Sequence, residues 1–264
     1  MGQGLDAVRA LRAPHAPRLL HRGVVEECVG ADVFCVQELL SQDALAFFDG
    51  LGHPAGWRDD NRVHLRSATM RGSGLGIGSR HKLLEKALTA FRAPSVGWDR
   101  LARKGALHAR IALAGDVVLD VINVHTQSGE GAASVRVRAH QLEAIAGMVR
   151  ALGSPQRPFV VCGDFNVDGL AAARGEEYLR LRAALPDFDD LGAADDLPTY
   201  HPEGNPLAQA FEPGGRNQRL DYVFFRRARG IEAVGLRRIL DRPLGPALFP
   251  SDHYGLTATF RVGV

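Results

Sequence analysis

Pro158-Phe159-Val160-Val161-Cys162-Gly163-Asp164-Phe165-Asn166 is the stretch whose reading decides the fold. Its apolar run has about the length of a strand buried on both faces, and it ends in groups that can hold a cation or a water. An apolar stripe at helical spacing, Val135, Leu142, Ile145, Val149 and Leu152, leads into it, a helix-to-strand crossover. The chain therefore reads as α/β, with Asp164 and Asn166 at a sheet's rim.

Working outward, the same design recurs. Asp32-Val33-Phe34-Cys35-Val36 is a second strand-like run and ends in Gln37-Glu38, which puts the Glu38 carboxylate at a rim as well. Residues 106–113 and 117–125 are strand-like and joined by a tight turn at Gly115-Asp116, a hairpin ending at His125. Residues 75–79, 220–225 and 255–262 also have strand character. Helices are predicted at residues 17–29, at 45–51 with Gly52 as its stop, and at 176–185, while 53–74 and 204–218 read as loops. Gly72-Ser73-Gly74-Leu75-Gly76 lacks the Lys-Ser/Thr of a phosphate-binding loop and is a turn.

With 264 residues, 45% hydrophobic and 23% charged, the chain can bury a large core, and residues 1–264 are read as one domain with 1–16 as loop. A net charge of +2 does not announce a nucleic-acid partner; Arg226, Arg227, Arg229, Arg237 and Arg238 are read as a solvated face. Cys28, Cys35 and Cys162 are read as free thiols in a core. No apolar stretch approaches the roughly 20 residues of a membrane helix, and the first residues lack the regions of a secretion signal.

A carboxylate after a strand is more often a turn former or helix cap than a catalyst. The weight lies in co-occurrence: hydrolysing a phosphate ester needs cation-held oxygens, an activated water and neutralised charge on phosphorus, and these residue types supply all three. Asp221, in Arg219-Leu220-Asp221-Tyr222, sits in an apolar strand where an unpaired carboxylate is costly, so it needs a partner. His253, in Ser251-Asp252-His253-Tyr254, is the natural one, because a carboxylate on one imidazole nitrogen leaves the other free to take a proton. The plain alternative has Asp221 on backbone amides, His253 in a loop and Asp252 as a turn former. His125 is either structural or a donor to a phosphate or leaving oxygen. Arg138 and Gln141, one helical turn apart, could buttress the site, although such residues are more often solvated. The remaining histidines, His108 among them, have no paired spacing and no zinc role.

Taken in order, Gln37-Glu38, Gly74-Leu75-Gly76-Ile77, Lys104-Gly105, His125, Arg138-x-x-Gln141-Leu142, Gly163-Asp164-Phe165-Asn166, Arg219-Leu220-Asp221-Tyr222 and Ser251-Asp252-His253-Tyr254 resemble the endonuclease/exonuclease/phosphatase superfamily. Within it, Arg103-Lys104-Gly105-Ala106-Leu107, Ser134-Val135-Arg136 and Asn205-Pro206-Leu207-Ala208 look most like the bacterial neutral sphingomyelinases. The resemblance implies a four-layer α/β/β/α sandwich of two mixed sheets with a cleft at one end. It implies Mg2+, with Mn2+ or Co2+ as substitutes, held by Glu38 with help from Asp252. His253 oriented by Asp221 is the implied base, Asp164 and Asn166 position water and phosphate, and His125 stabilises or protonates the departing side. A phospholipid at a membrane surface is the implied substrate, yielding ceramide and phosphocholine from sphingomyelin, with no stable nucleic-acid partner, a monomeric state and export from the cell. A nuclease of the same chemistry and a non-catalytic remnant are the rivals.

Two departures follow. Family members carry a first-strand asparagine beside the glutamate, but here no Asn precedes Asn61 and the chain opens at Met1-Gly2-Gln3-Gly4, so a missing first strand and weakened metal binding are expected. Arg71-Gly72 stands where secreted members have an acidic pair, so a second, edge metal site is not expected. Residues 226–250 offer Leu236, Ile239, Leu240, Leu244 and Phe249 but no tryptophan for bilayer insertion.

Overall fold

The computed structural model describes residues 24, 28, 30–40, 42–50, 57–58, 73–152, 154, 156–245 and 248–263. The readings at 1–16, most of 17–29, Gly52, all of the 53–72 loop but residues 57–58, and Arg71-Gly72 lie outside the described residues.

The elements in chain order are β1 (Val33–Val36), α1 (Gln42–Gly50), β2 (Trp57–Arg58), β3 (Gly76–Ser79), β4 (Lys82–Ala90), β5 (Gly105–Ala112), β6 (Val118–His125), α2 (Ala132–Leu152), β7 (Phe159–Asp164), α3 (Glu176–Ala184), β8 (Asp189–Asp190), α4 (Pro206–Phe211), β9 (Asp221–Arg226), β10 (Ile231–Ile239) and β11 (Gly255–Val262). A mixed sheet has the order β4-β5-β6-β7-β9-β8, with β6 and β7 parallel across the α2 crossover. Facing it are two antiparallel ladders, β1-β3-β2 and β10-β11.

Alternation along the strands builds the layers. Ile122, Val124, Phe159, Val161 and Phe224 turn one face of the large sheet onto Leu142, Ile145 and Val149 of α2 and Leu181 of α3. Leu119, Val121, Val160, Val223 and Phe225 turn the other face onto Ile77, Ile231 and the inward side chains of β1, β10 and β11. On the far side of β1, Phe34 and Val36 pack against Leu45 and Phe48 of α1. The result is helices, sheet, sheet, helix, as the sequence implies. Among the described residues no helix is long and apolar enough to cross a membrane.

Two close approaches shape the site end. Gly163 has φ 126°, and a Cβ there would stand 2.1 Å from the Val124 carbonyl, so only glycine lets β7 run this near β6. Gly115 and Asp116, both with φ near 60°, close the β5–β6 hairpin in the turn handedness that matches strand twist.

The reading needs four corrections. β2, inside the segment read as a loop, and β4, β8 and β10 are strands that the pattern did not give. β4 is an exposed edge whose sequence, Lys82-Leu83-Leu84-Glu85-Lys86, has no clean alternation. The 204–218 loop contains α4, capped by the Asn205 side chain accepting from Leu207 N. Arg226 and Arg238 are half-buried, stacked on Phe159 and Tyr254, whereas Arg227, Arg229 and Arg237 are exposed. The three cysteines are free thiols, with Cys28 buried but Cys35 and Cys162 only half-buried.

Candidate active site

Register puts the site on one rung of the large sheet: Gly105 pairs with His125, His125 with Asp164, and Asp164 with Asp221. Side chains directly opposite on neighbouring strands share a face, so three functional groups meet through pairing alone. Two groups come from elsewhere. Glu38 follows β1 in the facing layer with φ 61°, and the backbone beyond it is fixed by Leu39 N donating to Gly74 O at 2.8 Å. His253 precedes β11, in a turn held by Asn205 Nδ2 donating to the Ser251 carbonyl at 2.8 Å and by the bridge from Tyr200.

The seven residues singled out in the sequence form one cluster. His253 Nδ1 lies 2.8 Å from Asp221 Oδ2. The Asp164 carboxylate accepts from Asn166 N at 2.8 Å and Nδ2 at 3.1 Å, and Asn166 takes φ 50° to do so. Of the five non-glycine residues with left-handed backbone among those described, two, Glu38 and Asn166, are in the site, where the surrounding fold holds them. His125 Nε2 is 3.5 Å from Asp164 Oδ2 and 4.0 Å from Glu38 Oε1. Asp252 stands near enough to act on both Glu38 and His253 through its charge.

The electrostatics are those of a site with too much negative charge. Desolvation first, then Asp221, raise Asp164 to about 7. Desolvation and repulsion from Asp252 also raise Glu38, although its side chain is 68% exposed, so water offsets part of the first cause. Burial works against a charged His253, yet Asp221, Asp164 and Asp252 together lift it to about 10. His125 is pushed well below the usual imidazole range by burial, Lys104 and His253.

Lys104 Nζ lies 2.6 Å from His125 Nε2, a contact that pairs an ammonium donor with a neutral imidazole. The cation is Lys104, buried and held by Asp99 Oδ1 at 3.1 Å. Sequence reasoning quoted Lys104 within a motif but gave it no role; its one signal is a lysine at the mouth of an apolar strand. Asp99, on a single 3-10 turn between β4 and β5, has no such signal. Asn123, two residues before His125 on the same strand, ties the layers together: its Nδ2 donates to Val36 O at 2.8 Å and Gly76 O at 3.0 Å, and its Oδ1 accepts from Gln37 Nε2 at 2.6 Å.

Arg138 and Gln141 are buried, not solvated. Arg138 forks onto Glu177 at 2.8 and 2.9 Å and donates to the Gln127 and Gly129 carbonyls, while Gln141 Oε1 accepts from Gln127 N at 2.8 Å. They brace the loop after His125. Arg219 does the same for β9, paired with Asp190 at 2.8 and 3.0 Å and stacked on Tyr222.

Carboxylates of Glu38, Asp164 and Asp252 offer hard oxygen donors, and mutual repulsion lifts Glu38, so the residues present fit a magnesium-like divalent cation. Asp164, Asp221 and His253 also bring ligand atoms within 4.8 Å of one another, but the short His253–Asp221 contact already engages one of those carboxylates.

A facing-sheet sandwich with acidic, amide and imidazole groups gathered at one end of its strands has the layout of a hydrolase scaffold. The chain belongs to the Endonuclease/Exonuclease/phosphatase family, whose sequence profile matches residues 3–253. It is similar to a phospholipase C of Staphylococcus aureus, 27% identical over 175 residues, which are 64% of this chain and 51% of the relative. The chain thus aligns with about half the length of that relative. Three solved structures share the fold. Staphylococcus aureus beta toxin, as an F277A, P278A mutant with bound magnesium ions, is 20% identical with TM-score 0.68 over 93% of this chain and 92% of that one. D. rerio TDP2, complexed with a single-strand DNA product, is 18% identical with TM-score 0.73 over 96% and 95%. Sphingomyelinase C from Streptomyces griseocarneus is 19% identical with TM-score 0.66 over 97% and 91%.

Proposed function

We propose that the chain is a magnesium-dependent phosphodiesterase acting on a choline phospholipid, with sphingomyelin as the favoured substrate. The observation that carries this reading is the meeting of Glu38, His125, Asp164, Asp221 and His253 at one end of the facing sheets. The likeness to a phospholipase C and a sphingomyelinase C, together with the motifs around Lys104 and Asn205, directs it toward a lipid. Manganese or cobalt should substitute for magnesium, because carboxylate and water oxygens in an octahedral arrangement suit those divalent ions as well.

When bound by Glu38 with Asp252 close by, the cation supplies positive charge that polarises phosphate oxygens and offsets the crowded carboxylates. His253, held in one tautomer by Asp221, takes a proton from water as that water's oxygen bonds to phosphorus. Asp164 and Asn166 orient the reacting groups. Lys104, steadied by Asp99 and His125, faces the charge that develops as the bond to the ceramide oxygen breaks. That oxygen leaves as ceramide once it takes up the proton that water gave to His253, returned by way of solvent, while the water's oxygen stays on phosphorus in phosphocholine. His253 works only in its neutral form, so turnover should rise with pH along its titration.

The test is incubation with magnesium and, in parallel, sphingomyelin vesicles, phosphatidylcholine vesicles and plasmid DNA, comparing wild type with His253→Ala and Asp164→Ala. Phosphocholine release lost in both variants supports the reading. Nicked plasmid without phosphocholine makes the chain a nuclease, and silence in every tube makes it a non-catalytic remnant.

A further inference from the structure

We infer that the segment 91–103, which carries Trp98 at its crest, is the surface by which this chain sits on a phospholipid bilayer. Trp98 is 87% exposed, the largest exposure among the bulky apolar side chains described, and no ring or cation contact to it occurs among the described residues. It rides on a single 3-10 turn, Gly97–Leu101, between β4 and β5. A single exposed apolar side chain is ordinary, but an indole has an apolar body and a polar N–H and is enriched where one side is apolar and the other wet, so its surroundings decide its meaning.

Here the surroundings suit a headgroup layer. Arg92, Arg100 and Arg103 are exposed around the indole and make no ion pair among the described residues, and Pro94 is exposed beside them. Arg92, Arg100 and Arg103 also line, with Phe91, Val96 and Lys104, an open hollow under the turn. An amphipathic ring flanked by free guanidinium groups is the composition that settles at a bilayer interface, ring among the acyl-chain tops and cations at the phosphates. A nucleic-acid surface would instead offer successive aromatics along a basic groove, and 91–103 presents one exposed ring.

The segment is continuous with the catalytic cluster. Its Asp99 holds Lys104 and accepts from Ser128 N at 2.6 Å, and Lys104 lines the hollow while contacting His125. A membrane gripped by Trp98 would therefore present phosphates within a few residues of the rung that bears Asp164. This assignment rests on the lipid reading above for its purpose, but its test does not depend on turnover.

The experiment uses the full chain with a Trp57→Phe background, so that Trp98 is the sole tryptophan. Vesicles of phosphatidylcholine, with and without phosphatidylserine, are added while emission is followed, and binding is measured by sedimentation. A blue shift of Trp98 emission is expected, and Trp98→Ala should weaken vesicle binding about tenfold, the order expected for partial burial of one aromatic side chain. Arg100→Glu and Arg103→Glu should each cost about fivefold on anionic vesicles. Unchanged emission, or Trp98→Ala binding like wild type, overturns the assignment, as does quenching by a single-stranded oligonucleotide in place of the vesicle response. Lipid hydrolysis with vesicle binding indifferent to Trp98 sinks this inference and leaves the proposed function standing. Trp98-dependent vesicle binding without hydrolysis does the reverse.

Discussion

Asp120 and Asp164 lie on adjacent strands, β6 and β7, both almost closed to solvent, and the chain treats them in opposite ways. At one end of the large sheet Asp120 is met by His108 Nε2 at 2.8 Å, Arg110 Nε at 2.9 Å and Arg157 Nη1 at 2.9 Å, with Glu85 pairing Arg110 from outside. Those contacts outweigh its desolvation and hold its carboxyl below the usual range. At the other end Asp164 has Asp221 for company and rises to about 7. A buried carboxylate ringed by matched donors serves structure, whereas one left short of positive charge serves something that arrives later.

Loss of turnover is the largest effect to expect from the second end. His253→Ala or Asp164→Ala should lower phosphodiester hydrolysis about a thousandfold or more, followed as product release at saturating magnesium. Wild-type turnover in either variant would remove that end's functional meaning. At the first end the loss should fall on stability. Asp120→Ala strands one imidazole and two guanidinium groups and should cost about 3–5 kcal/mol by denaturant midpoint, with turnover kept wherever the variant is folded. Asp164→Asn should do the reverse in metal-free protein at pH 8, raising stability by about 1 kcal/mol while abolishing turnover, because a neutral amide escapes both desolvation and Asp221. A destabilised Asp164→Asn would show that the two ends do not differ in kind.

The smallest effect is a slope. Asp164 and His253 bind their protons more tightly folded than unfolded, between 3.8 and about 7 for the first and between 6.5 and about 10 for the second. Metal-free stability should therefore fall as pH rises through both windows. Asp120 has the opposite sign: its contribution is present at neutral pH and lost in acid, below its ordinary value of 3.8. Melting curves from pH 4.5 to 9, with and without magnesium, should show rescue by magnesium growing with pH by a few degrees.

The contrast also explains what could be read in the chain. Asp164, Asn166, Glu38 and His253 were legible because each follows or precedes a segment whose apolar run gives away its strand, and Asp221 because an acid inside such a run demands a partner. Arg138 and Arg219 were not, since a buried arginine is written in the sequence like a solvated one; only Glu177 and Asp190, far along the chain, disclose the difference. β4 escaped for another reason. It is an edge strand with most of its side chains in water, so no burial pattern had been imposed on it. Lys104 meets His125, and Asp99 meets Lys104, through the loop path between β4 and β5, and loop paths follow no period.

The rung from Gly105 through His125 and Asp164 to Asp221 also limits how such a chain can change in length. Inserting or deleting one residue within β6, β7 or β9 flips every later side chain on that strand to the opposite face and scatters the row. Connections away from the rung, such as 227–230 between β9 and β10, are under no such restriction. Length variation among descendants of this sequence should therefore gather in the connections, leaving strand lengths at the rung fixed.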